Sequence, residues 1–184
     1  KLFIEVGTQA LDDEIDAIKR YVKEGHGLVG TSGTLSEYVP NNIKLAELFG
    51  IEDNIGLWNS PDSRLEGQLV VLVSDDILTY NIPNQYPAFD ASIVGLSLNI
   101  SSGAVKVAKG EQQEDVFVNA YKPALGASVY FTTLPEYRNS HEADRQFFYN
   151  SLVWTALNIG EKQKDIAVSD MNASEKALQG EKRK

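Results

Sequence analysis

Cysteine is absent from the 184 residues. That excludes disulfides, thiolate nucleophiles and cysteine-ligated metals, yet leaves the compartment open, because exported and cytosolic chains alike can lack the residue. Histidine occurs only as His26 and His141, with no H-x-x-x-H or H-x-E-x-H spacing, so no metal site and no cofactor are expected. No apolar run approaches the ~20 residues of a membrane-spanning helix, and no membrane insertion is expected. Positive charge is in deficit: 17 Lys and Arg stand against 26 Asp and Glu, a formal net charge of −9. Residues 161–184 are close to neutral, so the acidic excess lies in residues 1–160. Such a body repels phosphate backbones, and nucleic-acid binding is not expected. Internal repeats, low-complexity tracts and a charged-then-apolar leader pattern are lacking too.

What is present suits one α/β domain. A composition 42% hydrophobic and 23% charged belongs to a globular chain with a sizeable core. Leu11, Ile15, Ile18 and Val22 recur at i, i+4, i+7 and i+11, which predicts an amphipathic helix with acids in its first turn and bases in its second half. Gly25 fits the left-handed stop, and Leu28-Val29-Gly30 follows as a strand apolar on both faces. With residues 1–6 as a preceding strand this is a parallel, right-handed β-α-β unit. Asn41 or Asn42 is expected to cap a short helix that Gly50 ends. Residues 69–73 (LVVLV) predict a buried strand, residues 79–89 an irregular connection, residues 92–98 a further strand, and 105–108 a short one. Residues 116–121 and 127–133 predict a hairpin. An N-x-x-E box, Asn139 to Glu142, precedes an uncharged helix over 147–159. Its Phe148, Leu152 and Ala156 are expected on the sheet, with Phe147, Trp154 and Leu157 widening the stripe toward a second contact, in the fold or with another chain. Residues 160–184 read as a polar tail or linker, held by the body or by a neighbouring copy.

The order of strand, helix, Y-V-x-x-G-x-G-L-V-G, small-residue turn, L-A-E-L-F-G-I, and later G-A-S-V-Y-F-T-T-L-P-E-Y and F-Y-N-S-L-V-W-T-A-L resembles the class I glutamine amidotransferase-like superfamily. The nearest flavour is the trehalose-utilisation-type and related non-glutaminase domains, some of them assembly modules in β-galactosidases. The resemblance covers residues 1–159. It implies a three-layer flavodoxin-like domain with a mostly parallel sheet and one antiparallel hairpin. Full members begin with further β-α units, so the resemblance also implies that the N-terminal units are missing here and supplied by a parent polypeptide or a partner.

Catalytic members carry a cysteine on a strained G-x-C-x-G elbow and take histidine and acid from a late H-P-E. The matching residues here are Gly30, Thr31, Ser32, Gly33 and Thr34, then Leu134, Pro135 and Glu136. Serine replaces the nucleophile, leucine replaces the imidazole, and only Glu136 remains. Without a base between them, a carboxylate cannot activate a serine hydroxyl, so no catalytic residue is assigned.

Other chemistry-bearing residues have a structural reading beside the functional one. Thr31, Ser32, Gly33 and Thr34 could offer backbone N–H groups to an anion, or simply let strand and helix approach closely. Asp75 and Asp76 follow an apolar strand, where open α/β sheets bind ligands; a solvated turn uses the same pair. His141 with Glu142 and Asp144 could meet a cation, or form a capping turn. Trp58, Tyr80, Tyr86, Phe89 and Tyr137 fall in loops and suit sugar stacking, a protein interface or plugging of the domain edge. Asn99-Ile-Ser101 and Asn172-Ala-Ser174 are glycan acceptors if the chain is exported. The expectation is a non-catalytic binding or assembly module, part of a larger cell-surface or exported protein or a homo-oligomer, with a protein partner or its own copy and carbohydrate as a candidate ligand. The alternative is a carbohydrate-processing enzyme working through Glu136, Asp75, Asp76 and His141.

Overall fold

The computed structural model describes residues 2–3, 9–35, 39–52, 65, 67–88, 99–112, 116–158 and 160. The strand expected over 92–98, Trp58, Phe89, Asn172 and the tail from 161 onward lie outside these residues.

The order is β1 (Leu2–Phe3), α1 (Asp12–Lys23), β2 (Gly27–Thr31), a 3₁₀ turn (Ser32–Leu35), a 3₁₀ helix (Pro40–Phe49), β3 (Leu69–Val71), β4 (Gln85–Tyr86), β5 (Val105–Gly110), β6 (Val116–Tyr121), β7 (Ala127–Phe131) and α2 (Glu142–Leu157). One sheet runs β1-β2-β7-β6-β5-β3-β4. The β1-α1-β2 unit is parallel, Leu2 opposite Leu28, and β2 pairs in parallel with β7, Val29 opposite Val129. The β6–β7 hairpin is antiparallel as expected. Antiparallel pairing extends further, however, through β5–β6, β3–β5 and β3–β4. The α/β architecture holds, but parallel pairing among the described strands is confined to β1, β2 and β7.

Alternation through β2 and β7 divides the core. Leu28 and Tyr130 face Ile15, Val22, Leu35, Leu45, Leu48 and Phe49 on the α1 side. Val29, Val129 and Phe131 face Phe117, Phe147 and Trp154 on the α2 side. A strand with both faces covered must be apolar throughout, hence the run Leu28-Val29-Gly30. Two close approaches fix the layers. A Cβ at Gly27 would lie 2.9 Å from Thr155 Cβ, and one at Gly126 would lie 2.1 Å from the Val22 carbonyl oxygen.

Several local expectations are corrected. Leu11 is 64% exposed: it precedes the helix, and its N–H donates to Glu14 Oε2 at 2.8 Å. Asn41 and Asn42 do not cap the 3₁₀ helix; their side chains bind the Ala10 carbonyl and N–H at 2.7 and 2.8 Å and tie down the approach to α1. β3 stops at Val71 and Leu72 is exposed, so residues 69–73 are not a wholly buried strand. The short strand expected over 105–108 continues to Gly110, which lies opposite Leu69. The capping box of α2 sits two residues later than expected: His141 N–H donates to Asp144 Oδ2 at 3.0 Å, and Ala143 N–H donates to His141 Nδ1 at 3.2 Å.

The sheet-facing stripe of α2 is Ala143, Phe147, Asn150, Ser151, Trp154 and Thr155. Phe148 and Leu152 are only partly buried. Phe147 and Trp154, 0% and 8% exposed, are therefore core residues and not a surface for another chain, while Leu157 is 52% exposed. The rotation follows from satisfied polar groups. Ser151 Oγ donates to the Phe147 carbonyl at 2.9 Å, and Asn150 Nδ2 to the carbonyls of Leu78 and Tyr80 at 3.2 and 2.8 Å. Such groups can be buried at little cost.

Candidate functional site

β2 delivers its last residue, Thr31, to a turn where Ser32 sits at φ +31°. That is the left-handed side of φ for a non-glycine residue, a strained conformation held by its surroundings. Tyr130 is wholly buried, and its hydroxyl donates to the Ser32 carbonyl at 2.5 Å. Burial pushes that phenol well above its ordinary value, with a backbone hydrogen bond at Leu35 pulling the other way, so it stays a neutral donor. Thr34 Oγ1 donates to the Thr31 carbonyl at 2.8 Å and accepts from the Thr31 N–H at 3.3 Å. Gly30 makes room: a Cβ there would come within 2.7 Å of Phe49 Cζ and 3.0 Å of Tyr130 Cδ2.

Glu136 reaches the same turn from beyond β7. A turn closed by Tyr137 N–H on the Leu134 carbonyl, 3.2 Å, presents it. Thr31 Oγ1 donates to Glu136 Oε1 at 2.6 Å. Glu136 Oε2 and Thr133 Oγ1 are buried without a hydrogen-bond partner among the described residues. The structure thus brings Thr31, Ser32, Thr34 and Glu136 together. Leu134, two residues before Glu136 in the chain, is half-buried. Of the two histidines, His26 stacks on Tyr21 with ring centroids 3.9 Å apart, and His141 caps α2.

Part of the turn's hydrogen-bonding capacity is already used. Thr31 N–H is committed to Thr34, and the threonine hydroxyls are committed to Glu136 and to the Thr31 carbonyl.

Asp75 takes the structural role. Asp75 Oδ1 accepts from the N–H groups of Ile77 and Leu78 at 2.9 and 2.6 Å, while Thr79 Oγ1 accepts from Asp75 N–H at 2.9 Å. This is an Asx turn; Asp76 is exposed beside it. Among the described residues no three His, Asp or Glu side chains gather to hold a metal ion.

His141 belongs to a second constellation. Its ring lies 5.7 Å from that of Tyr86, in near-parallel stacking. Tyr86 is buried, and its hydroxyl is pushed far up by that burial and then by the charge and hydrogen bond of Asp144. His141, Glu142, Ala143 and Gln146 line a cavity of about 250 Å³ together with Asn81 and Pro83. A larger, open hollow of about 450 Å³ lies at the start of α1, among Gln9, Ala10, Leu11, Asp12, Pro40 and Asn41. Asn81, Gln146 and Asn150 were not marked by any sequence motif. Asn150 alone offered a hint, as an amide in an otherwise apolar helix.

No protein-family model and no curated protein matches the sequence. Solved structures do match. Cytoplasmic Protein STM3548 from Salmonella typhimurium has a TM-score of 0.57 at 17% identity, over 80% of this chain and 62% of that one. The cold-adapted β-galactosidase from Rahnella sp. R3 has a TM-score of 0.53 at 15% identity, over 77% of this chain and 20% of that one. A protein assigned as a GMP synthase subunit, from Thermoplasma acidophilum, has a TM-score of 0.51 at 14% identity, over 76% of this chain and 63% of that one. This chain therefore spans under two thirds of each neighbour's length. At such identities the likeness is one of fold, a flavodoxin-like, amidotransferase-like α/β domain.

Proposed function

We propose that this chain is a non-catalytic binding or assembly module, working within a larger exported or cell-surface protein or as a homo-oligomer. One observation carries the reading: Glu136, the acid at the degenerate elbow, accepts a hydrogen bond from Thr31, and the residue at the position where the resemblance calls for an imidazole is Leu134. A serine hydroxyl needs a base within hydrogen-bond reach to become a nucleophile, and leucine has no proton to exchange. The Ser32 conformation persists because Tyr130 and the Thr31–Thr34 pair hold it, which is a structural reason to keep the turn. The occurrence of this fold as one fifth of a β-galactosidase chain supports a modular use. The alternative, carbohydrate processing through carboxylates, has less behind it, since Asp75 is tied to its own turn and His141 to the start of α2.

The test pairs reactivity with association. The protein is treated with a serine-directed fluorophosphonate and assayed with glutamine and with activated esters, beside Ser32→Ala. No labelling and no turnover above the variant are expected, together with a concentration-dependent sedimentation coefficient. Ser32-dependent labelling or turnover overturns the reading.

A further inference from the structure

We propose that the cavity between Asn81–Pro83 and the first turns of α2 binds a neutral carbohydrate, one pyranose ring in the cavity, with the exposed Tyr80 and Tyr149, close in sequence to its lining, taking a second. The inference deepens the binding-module reading and rests on it.

Size comes first. A volume of about 250 Å³ holds roughly eight waters, or one six-membered sugar ring with its hydroxyls. Chemistry comes next. Asn81 and Gln146 bring amides, each both donor and acceptor, Glu142 an acceptor, and His141 an imidazole, with Pro83 and Ala143 as the apolar wall. Such alternating donors and acceptors match adjacent hydroxyls on a ring. The site lies at the start of α2, but Glu142 and Asp144 in that first turn offset the helix dipole, so a neutral ligand fits better than an anion.

The walls are fixed before any ligand arrives. His141 is held by its Nδ1 cap and by stacking on Tyr86, which is itself buried. The opposite wall is clamped to α2 by Asn150, whose amide grips the Leu78 and Tyr80 carbonyls. Gln146 Nε2 donates to Asn150 Oδ1 at 2.8 Å, which links the clamp to the lining. Asn81 is held at φ +57°, a conformation asparagine tolerates. Preorganised walls reduce the entropic cost that makes sugar binding weak.

Two large, exposed aromatics follow or precede lining residues in the chain, and the fold makes little use of them. Tyr80 adjoins Asn81 and is 66% exposed; Tyr149 is one helical turn beyond Gln146 and is 63% exposed. Flat, rigid faces with a polar tip suit the C–H face of a pyranose.

The experiment is a saturation-transfer NMR screen of neutral hexoses, their methyl glycosides and disaccharides at millimolar concentration, with titration of the best binder into wild type, Tyr149→Ala, Tyr80→Ala, Gln146→Ala and, as a control in the other hollow, Gln9→Ala. Saturation transfer is expected, with shifts at Asn81 and Gln146 side-chain amides, affinity lowered about tenfold by Tyr149→Ala or Gln146→Ala, and no change with Gln9→Ala. The tyrosines are exposed, so these variants keep the fold. No transfer from any sugar, or binding indifferent to Tyr80, Tyr149 and Gln146, overturns the carbohydrate site. A protein that binds no sugar yet stays inert and self-associates retains the module reading; one that binds and cleaves the sugar retains the site and loses that reading.

Discussion

Thr31 Oγ1 and Glu136 Oε1 lie 2.6 Å apart, a hydrogen bond that joins the end of β2 to the loop after β7 across 105 residues of sequence. It fills one oxygen of a carboxylate whose other oxygen is buried and unpartnered among the described residues. Thr31→Val keeps the shape and leaves both oxygens unsatisfied, so a loss of about 1–3 kcal/mol is expected in urea unfolding. Glu136→Gln retains an acceptor for Thr31 and should cost less. Equal losses in the two variants would mean that the hydrogen bond is not what stabilises the turn.

Local rules carried the sequence reading where chemistry and burial agree. Leu28-Val29-Gly30 after Gly25, and the Val- and Tyr-rich arms of the hairpin, were legible because strands covered on both faces admit few polar residues. The degenerate elbow came from the resemblance and not from spacing, and the structure joins its two halves through Thr31 and Glu136. Reading failed where polar side chains are buried. Asn150, Ser151 and Thr155 are buried on the face of α2 that the apolar spacing of Phe148, Leu152 and Ala156 did not mark. The cavity beside His141 was illegible for another reason, since its walls come from segments some 60 residues apart and only the loop tyrosines hinted at it.

Gly126 tests the seat of β7 against α1. A Cβ there would lie 2.1 Å from the Val22 carbonyl oxygen and 2.8 Å from that of His26. Both are backbone atoms and neither can rotate away. Gly126→Ala should therefore cost about 3 kcal/mol. At Gly103, by comparison, the nearest atom is Tyr121 Cε2 at 3.3 Å, the edge of a side chain, and Gly103→Ala should cost under about 1 kcal/mol. Thermal melts of the pair check the contrast.

Asn150→Leu removes two hydrogen bonds to the Leu78 and Tyr80 carbonyls from a buried position. A loss of about 2–3 kcal/mol is expected, from two stranded acceptors set against added apolar area. The effect should be local first: amide exchange should quicken at Thr79 and Ile82, whose N–H groups close this turn, before the core amides of β2 respond. Uniform acceleration across the sheet would show that Asn150 supports the whole domain.

Acid should loosen the α1 layer before the sheet. Glu47 Oε1 meets Lys23 Nζ at 3.0 Å and Lys19 Nζ at 3.4 Å, and Asp12 Oδ1 meets Lys44 Nζ at 2.6 Å, so ion pairs bind α1 to the 3₁₀ helix. The Lys23 hydrogen bond holds Glu47 below its ordinary value of 4.5, and the Lys44 hydrogen bond, with Asn41 assisting, holds Asp12 below 3.8. A carboxyl whose folded value is depressed stabilises the fold above its unfolded value and loses that contribution as pH falls through the folded one. The contribution is therefore complete above about pH 5 and fades below 4.5. All of these side chains are exposed enough for solvent to screen them, so the increment is small and should shrink further at ~1 M salt. Urea midpoints at pH 6 and pH 3 should differ less in the double variant Asp12→Asn, Glu47→Gln than in wild type. A pH response identical in the two proteins would place the acid sensitivity elsewhere, with the buried Asp144 beside Tyr86 as the next carboxylate to replace.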